Sequence, residues 1–565
     1  ANASLTQSGG TLAVAGQGFA IDGTFRATGG LLSLAGSSEQ RLGGTRATFW
    51  DLTVGPAGAR LDGPAAIQRV LTLNGNLSTI TNPLTLLSGS AGTAMVVNSG
   101  GSVVGAATVQ RYITPSLNSG LGYRHYSSPV QSTTVADLAT SGFSPVVNPG
   151  YNTQGNTVNP FPTVYGFDEA RIVGTSATTQ DFEYGYFSPA TLGTALTRGR
   201  GYAVNISASE KVDLVGTLNT GTVPVGTLGR GPEGNSGWHL LGNPYPAPLD
   251  WKKARTGLPA GVQDAVYVYK STGQYDGTYQ FYQNGFGTLP NGIIGSMQGF
   301  FLRVSQPVAS FNFLDAWRSA SYEATDFNRT TADIRPQVQL DLVSAQGVHE
   351  PTYVYFETGA TAGVDNHYDA EKLPNTTGLN LASVAAGTSL AVNGLPMATG
   401  PVSVPLSVGV PTTGTYTLTA ASLLNLGTTD VYLHDAVTGQ QVNLKQQPSY
   451  RFSASNAALL TDRFRLHFGA LRPLSAQNGF TAASVSVYPN PAHQQFTLRL
   501  PAVSGAAQAT VVLYNVLGKS VRETTLPLPA GGAQTTLDVQ NLPVGVYVLR
   551  VQAGTAIITK QVVVD

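Results

Sequence analysis

Glycine and proline interrupt this chain so frequently that a long helix has no room to form. Its 565 residues include 66 glycines and 33 prolines, and the stretches between them are short runs of alternating apolar and polar side chains. Alternation with a period of two places one face of each run on a core, as in a β-strand, whereas a helix needs an apolar repeat of about 3.6 residues. No long window carries that repeat. The sequence therefore predicts an all-β protein, and its length predicts several domains.

Residues 1–110 repeat one theme, in which a short apolar strand is followed by a glycine-rich break. Examples are LLSL at 31–34, FWDLTV at 49–54 and VLTL at 70–73. Short strands with few charges between such turns are typical of stacked coils, so we expect a β-solenoid-like segment. The irregular spacing also leaves an up-and-down sandwich open. No polar helical cap precedes Gly9, and an uncapped coil exposes a row of backbone donors and acceptors.

Two further β modules are expected to follow the solenoid-like segment. Residues 111–325 are dense in aromatic side chains, and strands such as AVYVY at 265–269 predict a β-sandwich or jelly roll. A short helix is expected after Asp250, with that residue near its N-cap. Residues 326–470 have clean period-two strands and predict an Ig-like sandwich. Residues 471–482 are expected to be a linker to a last domain, residues 483–565, itself a small Ig-like sandwich.

The last domain contains four short motifs in a fixed order. They are YPNPA at 488–492, LYNVLGK at 513–519, LPVGVYVL at 542–549 and TKQVVVD at 559–565. In this order they resemble the C-terminal sorting domain (type A) of the type IX secretion system of Bacteroidetes-type bacteria. The resemblance implies a secreted cell-surface or extracellular protein that meets the secretion machinery and whose signal peptide has been removed. The residues that carry it are Tyr488, Pro489, Asn490, Pro491, Gly518, Gly545, Tyr547 and Lys560.

Charge and cysteine content limit the partners and cofactors. The 31 basic and 31 acidic residues cancel, and charged residues make up only 11% of the chain, so no basic field exists to hold a nucleic acid. The absence of cysteine excludes disulfides and thiolate metal sites. No apolar run reaches the ~18 residues that a transmembrane helix needs. We therefore expect no nucleic-acid partner, no membrane span and no cofactor.

The search for catalytic and metal-binding motifs returns one weak candidate. GRGPEG at 229–234 has the spacing of a phosphate-binding loop, but a strand follows where a helix is required, so a turn is expected. No two of the seven histidines have the spacing of a metal pair. Asp365, Asp369 and Glu371 could offer oxygen ligands to calcium, although EF-hand spacing is missing. We favour the alternative, a structural loop in which Asp365 and Asp369 accept backbone hydrogen bonds, and therefore assign no metal site.

Aromatic residues are densest in 265–301 and allow two interpretations. Exposed rings on a β face stack on sugars, which would make this a glycan-binding surface. The alternative, which we favour, is that alternate rings fill the sandwich core while the others lie against a neighbouring domain. The set comprises Tyr267, Tyr269, Tyr275, Tyr279, Phe281, Tyr282 and Phe286.

The sequence as a whole predicts a secreted structural or adhesive protein that is not an enzyme. Serial β modules with low charge and an export domain suit a subunit of an extracellular fibre that self-associates head to tail. A carbohydrate-binding surface protein is the first alternative. A glycoside hydrolase is the second, since β-solenoids and jelly rolls can bring paired carboxylates together from distant strands.

Overall fold

The computed structural model describes residues 4–115, 118–172, 182–234, 236–322, 333–469, 484–503, 506–529, 531–554 and 556–565. Strands dominate these residues, which confirms the all-β prediction. Two compact units are present, residues 1–469 and residues 470–565. No helix within the described ranges is both long enough and apolar enough to cross a lipid bilayer.

The first unit begins with short strands, most of which pair in parallel with strands of the neighbouring coil. They are β1 (Ser4–Gln7), β2 (Thr11–Val14), β3 (Gly18–Ala27), β4 (Leu31–Leu34), β5 (Gln40–Val54), β6 (Ala59–Leu61), β7 (Ala65–Leu73), β8 (Leu77–Ser78), β9 (Leu84–Leu86), β10 (Ser88–Gly89), β11 (Gly92–Thr93), β12 (Met95–Asn98), β13 (Val103–Val104) and β14 (Ala106–Tyr112). Ser4 pairs with Thr24, and Ala65 pairs with both Ala47 and Leu84. Such partners lie about twenty residues apart, the length of one coil. This parallel stack confirms the β-solenoid-like segment.

Buried side chains of successive coils pack on one another in the solenoid core. Phe25 and Phe49 are fully buried, with ring centroids 5.2 Å apart. Leu32 and Leu52 are paired neighbours and are likewise fully buried. At the far end of the stack, β14 pairs in parallel with β9 on one side. On its other side it pairs in antiparallel fashion with β19 (Lys211–Thr217) of the next module. The domain boundary expected at residue 110 therefore falls inside a strand.

The second module is built from several small sheets. Its strands are β15 (Tyr123–Tyr126), β16 (Val164–Phe167), β17 (Tyr186–Phe187), β18 (Tyr202–Asn205), β19, β20 (Val223–Leu228), β21 (Trp238–Gly242), β22 (Leu249–Asp250), β23 (Val266–Ser271), β24 (Gly277–Gln283), β25 (Phe286–Gly287), β26 (Ile293–Ile294), β27 (Gly299–Arg303) and β28 (Val308–Phe313). Among the connections that the structure describes are the single-turn helices α1 (Tyr151–Gln154) and α2 (Trp251–Ala254). Asp250 caps α2 by accepting a hydrogen bond from the Lys252 N–H at 3.0 Å, as expected.

The third module is one continuous, mainly antiparallel sheet that packs around its own core. Its strands are β29 (Gln337–Val343), β30 (His349–Phe356), β31 (Ala370–Glu371), β32 (Asn380–Ala385), β33 (Thr388–Leu395), β34 (Val402–Val410), β35 (Gly414–Leu424), β36 (Val431–Asp435), β37 (Gln440–Asn443), β38 (Ser449–Ala454) and β39 (Ala458–Phe468). Leu340, Leu406 and Phe464 are fully buried in it. The boundary expected at 325/326 and the linker at 471–482 lie outside the described residues.

A core shared by the second and third modules joins them. On β23, Val266 and Val268 face the core of the second module, whereas Tyr267 and Tyr269 face the opposite side. There they pack in one buried cluster with Tyr355 and Val392 of the third module, among others. The period-two alternation of a single strand thus supplies two cores.

The second unit is a small sandwich. Its strands are β40 (Ser486–Tyr488), β41 (Gln495–Leu500), β42 (Gln508–Tyr514), β43 (Ser520–Pro527), β44 (Ala533–Asp538), β45 (Gly545–Ala553) and β46 (Ala556–Val564). One sheet has the order β40-β41-β44 and the other the order β43-β42-β45-β46. Phe496, Leu513 and Leu549 are fully buried in the core that they share.

Candidate functional site

The YPNPA motif of the second unit is bonded to the last strand of the chain. The Asn490 side chain accepts a hydrogen bond from the Val563 N–H at 2.7 Å and donates one to the Gln561 carbonyl at 3.1 Å. Ala492 exchanges backbone hydrogen bonds with Val563 and Asp565. The motif therefore closes the sandwich by fixing β46 in place.

The other motif residues occupy turns and strands of the same sandwich. Gly518 has a φ of 75° in the turn between β42 and β43, a conformation that favours glycine. Tyr547 is buried on β45, and its hydroxyl donates to the Pro543 carbonyl at 2.8 Å. Gly545 is the first residue of β45. Lys560 of β46 pairs with Leu549 of β45. Tyr488 ends β40 and is 47% exposed.

The three carboxylates considered for calcium each have their own partners. Asp369 is buried, and its side chain accepts hydrogen bonds from the N–H groups of Asp365 and Gly394, at 2.6 and 2.7 Å. Asp365 accepts from the Thr361 N–H at 2.7 Å. Glu371 forms an ion pair with Arg303. Across the described residues, no three carboxylate or imidazole side chains converge as a metal site requires. Calcium binding by this loop stays a prediction.

Burial gives Asp369 an unusual titration. Desolvation raises the pKa of its carboxyl to about 7, although the two backbone donors favour the charged form. Desolvation also lowers the pKa of two histidines that lie on strands of the second module. The pKa of His125, which stacks on the Tyr269 ring, falls to about 3, and that of His239 falls to about 4. These imidazoles are neutral packing groups at physiological pH.

The GRGPEG loop holds a carboxylate of the chain itself. The buried side chain of Glu169 accepts from the N–H groups of Gly231 and Gly237, at 2.5 and 3.0 Å. β21 follows the loop, as expected for a turn. The Nε2 atom of His239 lies 2.8 Å from the Gly229 carbonyl oxygen. One backbone donor of the loop, the Gly231 N–H, is therefore already engaged.

The aromatic set of residues 265–301 is almost entirely buried. All of its members except Tyr275 are 8% exposed or less, and Tyr275 is 60% exposed. Tyr282 faces the core of the second module, whereas Tyr267, Phe281 and Phe286 belong to the shared core. This confirms the interpretation that rings fill the sandwich and lie against a neighbouring module. It removes the flat sugar-binding face expected under the other interpretation.

The first unit contains a cleft of about 1810 Å³, which we call the tyrosine cleft. Its aromatic wall is formed by Tyr123 of β15, Tyr151 of α1, Tyr165 of β16, Phe161 and Tyr275. The Tyr165 ring centroid lies 5.9 Å from that of Tyr123 and 5.1 Å from that of Tyr151. Residues of the third module, including 375–378, also line the cleft. Concave sites with mainly apolar walls are the usual places where ligands bind.

The charged groups of the tyrosine cleft are mostly neutralised. Arg303 pairs with Glu371, and Lys372 pairs with Glu350 outside the lining. The Arg230 side chain donates to two backbone carbonyls, at 2.7 and 3.0 Å. Glu183 makes no hydrogen bond or ion pair with another described residue. Loss of hydration among the surrounding rings raises the pKa of its carboxyl.

Sequence reasoning did not find the tyrosine cleft, although it noted the density of aromatics in residues 111–325. Tyr123, Tyr165 and Tyr275 stand far apart in the chain. β15 and β16 meet only through β18, which pairs with both. The aromatic count was the available signal, and it does not reveal which rings converge.

Two protein families match the chain in separate regions. The family described as Domain of unknown function (DUF8693) matches residues 74–468. The family described as Secretion system C-terminal sorting domain matches residues 486–565. The second match confirms the resemblance found in the terminal motifs. The protein is secreted through the type IX system, whose machinery it meets, to the cell surface or the extracellular space.

Comparison with individual proteins adds little. No curated protein matches. A structure of dimeric latent PorU from Porphyromonas gingivalis is 11% identical over 67% of this chain, with a TM-score of 0.14. This chain covers 35% of that chain, about a third of its length. A biofilm-associated protein, BSP domain, is 8% identical over 61% of this chain and 80% of its own, also with a TM-score of 0.14. At this TM-score, neither structure informs the fold or the function of this chain.

Proposed function

The chain belongs to the family described as Domain of unknown function (DUF8693), and from this exported β scaffold we propose a non-enzymatic structural or adhesive protein of the cell surface. We further propose that it forms an extracellular fibre by head-to-tail self-association. The observation that carries this proposal is the apolar first coil of the solenoid, at β1 and β2.

The first coil presents core-type side chains to solvent. Leu5 pairs in register with Phe25, and Leu12 pairs with Leu32. Phe25 and Leu32 are 1% and 0% exposed, whereas Leu5 and Leu12 are 46% and 39% exposed. Within the described residues, β1 and β2 each pair on one side only. An open strand edge beside exposed apolar side chains favours the addition of another strand.

A second copy of the chain is the occupant that we propose for this edge. The other end of the parallel stack differs from the first coil, because β14 pairs there with β19 of the same chain. We propose that the first coil of one copy contacts an unlike surface of the next copy, and such contacts repeat into a filament when they do not close into a ring. Each added subunit would bury Leu5 and Leu12 as the inner coils bury their equivalents.

Electron microscopy and sedimentation of the purified full chain test this proposal. We expect linear polymers from the unaltered protein, and loss of polymers when Leu5→Lys and Leu12→Lys are combined. Ile80→Lys is the matched control, since Ile80 is 72% exposed but lies away from the first coil. Dispersed monomers at high concentration, or equal polymerisation of the double variant and the control, would refute self-assembly at this edge.

The proposed absence of catalysis rests on how the carboxylates are used. Asp369 accepts two backbone hydrogen bonds, Glu371 is paired with Arg303, and Glu169 is held by its loop. Glu183 is the carboxylate in the tyrosine cleft without such a partner among the described residues. Incubation with polysaccharides should release no reducing sugar. Release that disappears in Glu183→Gln would establish a glycoside hydrolase instead.

A further inference from the structure

The aromatic wall of the tyrosine cleft extends outward from the shared core. Tyr123 packs partly against that core, and its ring centroid lies 6.4 Å from that of Tyr275. At the other end, Phe161 contacts Tyr151 and Tyr165, with centroids 5.8 and 6.4 Å away. Tyr275 is 60% exposed and Phe161 is 37% exposed, so rings at both ends of the wall meet solvent. The wall is therefore fixed by packing against the shared core, and the rings at its two ends are exposed to solvent.

We propose that the tyrosine cleft binds a neutral oligosaccharide, with Tyr123, Phe161 and Tyr275 as its stacking surface. A sugar ring has an apolar face of C–H groups, which packs on an aromatic ring, and a rim of hydroxyls, which need hydrogen-bond partners. Tyrosine suits this ligand because its ring is apolar and its hydroxyl both donates and accepts. Tyr269, Tyr275 and Tyr279 of the aromatic set also line the cleft, but Tyr269 and Tyr279 are buried, and only Tyr275 belongs to the stacking surface.

The charge of the cleft favours a neutral ligand over an anionic one. Its cations Arg303 and Lys372 are paired, and Arg230 is bonded to backbone carbonyls. The carboxylate of Glu183 would repel an anion, whereas it would accept hydrogen bonds from sugar hydroxyls. Burial raises the pKa of Tyr123 and Tyr165, so both phenols stay neutral.

The polar lining also matches a sugar better than a peptide. Peptides in extended form are recognised mainly through main-chain hydrogen bonds at an open strand edge. Here the cleft presents neutral side-chain amides and hydroxyls, among them Asn156, Asn366 and Thr388. Such groups both donate and accept, as sugar hydroxyls do.

The size of the cleft indicates a chain of sugars. Its volume of about 1810 Å³ is larger than the roughly 300–1,000 Å³ of typical small-molecule pockets. The stacking surface also has rings at separate positions, with Phe161 and Tyr275 on opposite sides of the Tyr123–Tyr165 pair. A linear oligosaccharide could use several of them at once, whereas a monosaccharide would contact one end only.

Calorimetry on the soluble full chain tests the proposal directly. The probes are the neutral hexasaccharides of cellulose, xylan, mannan, laminarin and starch, with oligogalacturonate as the anionic probe and an extended neutral peptide as the polypeptide probe. We expect at least one neutral hexasaccharide to bind with a Kd below about 1 mM. Failure of all five, or binding of only the anionic or peptide probe, would overturn the proposal.

Variants at the exposed ends identify the binding surface. Tyr275→Ala and Phe161→Ala should each weaken binding of the same hexasaccharide by about tenfold or more, because each removes a stacking ring. Tyr275→Phe keeps the ring and should stay within about twofold. Tyr184→Ala is the matched control, since Tyr184 is 48% exposed and does not line the cleft. Equal effects of the cleft variants and this control would place binding elsewhere and refute the assignment. The assay does not depend on fibre formation, so its failure would leave that proposal untouched.

Discussion

Replacing Arg303 with alanine should uncouple the second module from the third. Arg303, on β27, has a side chain only 5% exposed and pairs with Glu371 of β31, which is 15% exposed. Its guanidinium also donates to the Ser236 carbonyl at 3.0 Å and lies 5.4 Å from the centre of the Trp238 ring. The ion pair is thus a buried, hydrogen-bonded contact between two modules.

The expected cost follows from what the substitution leaves behind. Glu371 would keep one donor, the Gln263 amide at 3.0 Å, but would lose its counter-charge in a site largely closed to water. Removing one partner of a buried ion pair typically costs about 3–5 kcal/mol. The exposed pair of Arg41 and Asp62, with side chains 63% and 36% exposed, provides the matched control. Arg41→Ala should change the free energy of unfolding by less than about 1 kcal/mol.

Urea unfolding followed by tryptophan fluorescence measures these changes. The chain has four tryptophans, all of them in the first unit, so the signal reports that unit alone. A double-mutant cycle of Arg303→Ala and Glu371→Ala should give a coupling energy of about 1–3 kcal/mol. A loss below about 1 kcal/mol in Arg303→Ala, or a coupling energy near zero, would refute the inference that this pair holds the modules together.

Three further predictions concern other parts of the molecule. The pKa of about 7 for the Asp369 carboxyl exceeds its ordinary value of 3.8, so the folded protein favours the neutral carboxyl more than the unfolded chain does. The contribution of this preference to the free energy of unfolding is complete below pH 4 and is lost as the pH rises through 7. Over that window, the free energy of unfolding of the wild type should fall by on the order of 2–4 kcal/mol more than that of Asp369→Asn. Parallel curves of unfolding free energy against pH would contradict this prediction. Phe49→Ala should lower the free energy of unfolding by about 3–5 kcal/mol, because Phe49 is fully buried, whereas Leu12→Ala in the exposed first coil should cost under about 1 kcal/mol. Asn490→Ala should speed hydrogen exchange at the Val563 amide, which loses its acceptor, and unchanged exchange there would show that the motif does not hold β46.

Local patterns predicted local structure well. The recurrence of short apolar strands and glycine-rich breaks in residues 1–110 indicated a solenoid, because each coil repeats the same short pattern, although the irregular spacing left a sandwich open. Asp250 was placed at a helix N-cap, and the terminal motifs were assigned to a sorting domain, because each depends on residues close in sequence. Alternation in AVYVY at 265–269 was enough to favour two buried faces.

Contacts between distant segments could not be read from the same patterns. β14 pairs with β19, which lies about a hundred residues later in the chain. The apolar alternation of a strand shows which of its faces is buried, but it does not identify the partner strand. Glu371 was considered as a calcium ligand because its sequence neighbours are acidic, yet in the fold its nearest charge is Arg303. The tyrosine cleft is formed in the same way, from rings on strands that meet only through β18.

The shared core and the tyrosine cleft arise from one structural cause. Along β23 and β24, alternate residues face two different cores, so the hairpin needs aromatic or aliphatic side chains on both faces. Tyr275 lies in the turn between these strands, where the sheet ends and no module covers it, and its ring therefore enters the cleft. Tyr123 connects that ring to the shared core. A binding wall fixed in this way loses little conformational freedom when a ligand binds, which favours affinity from few contacts.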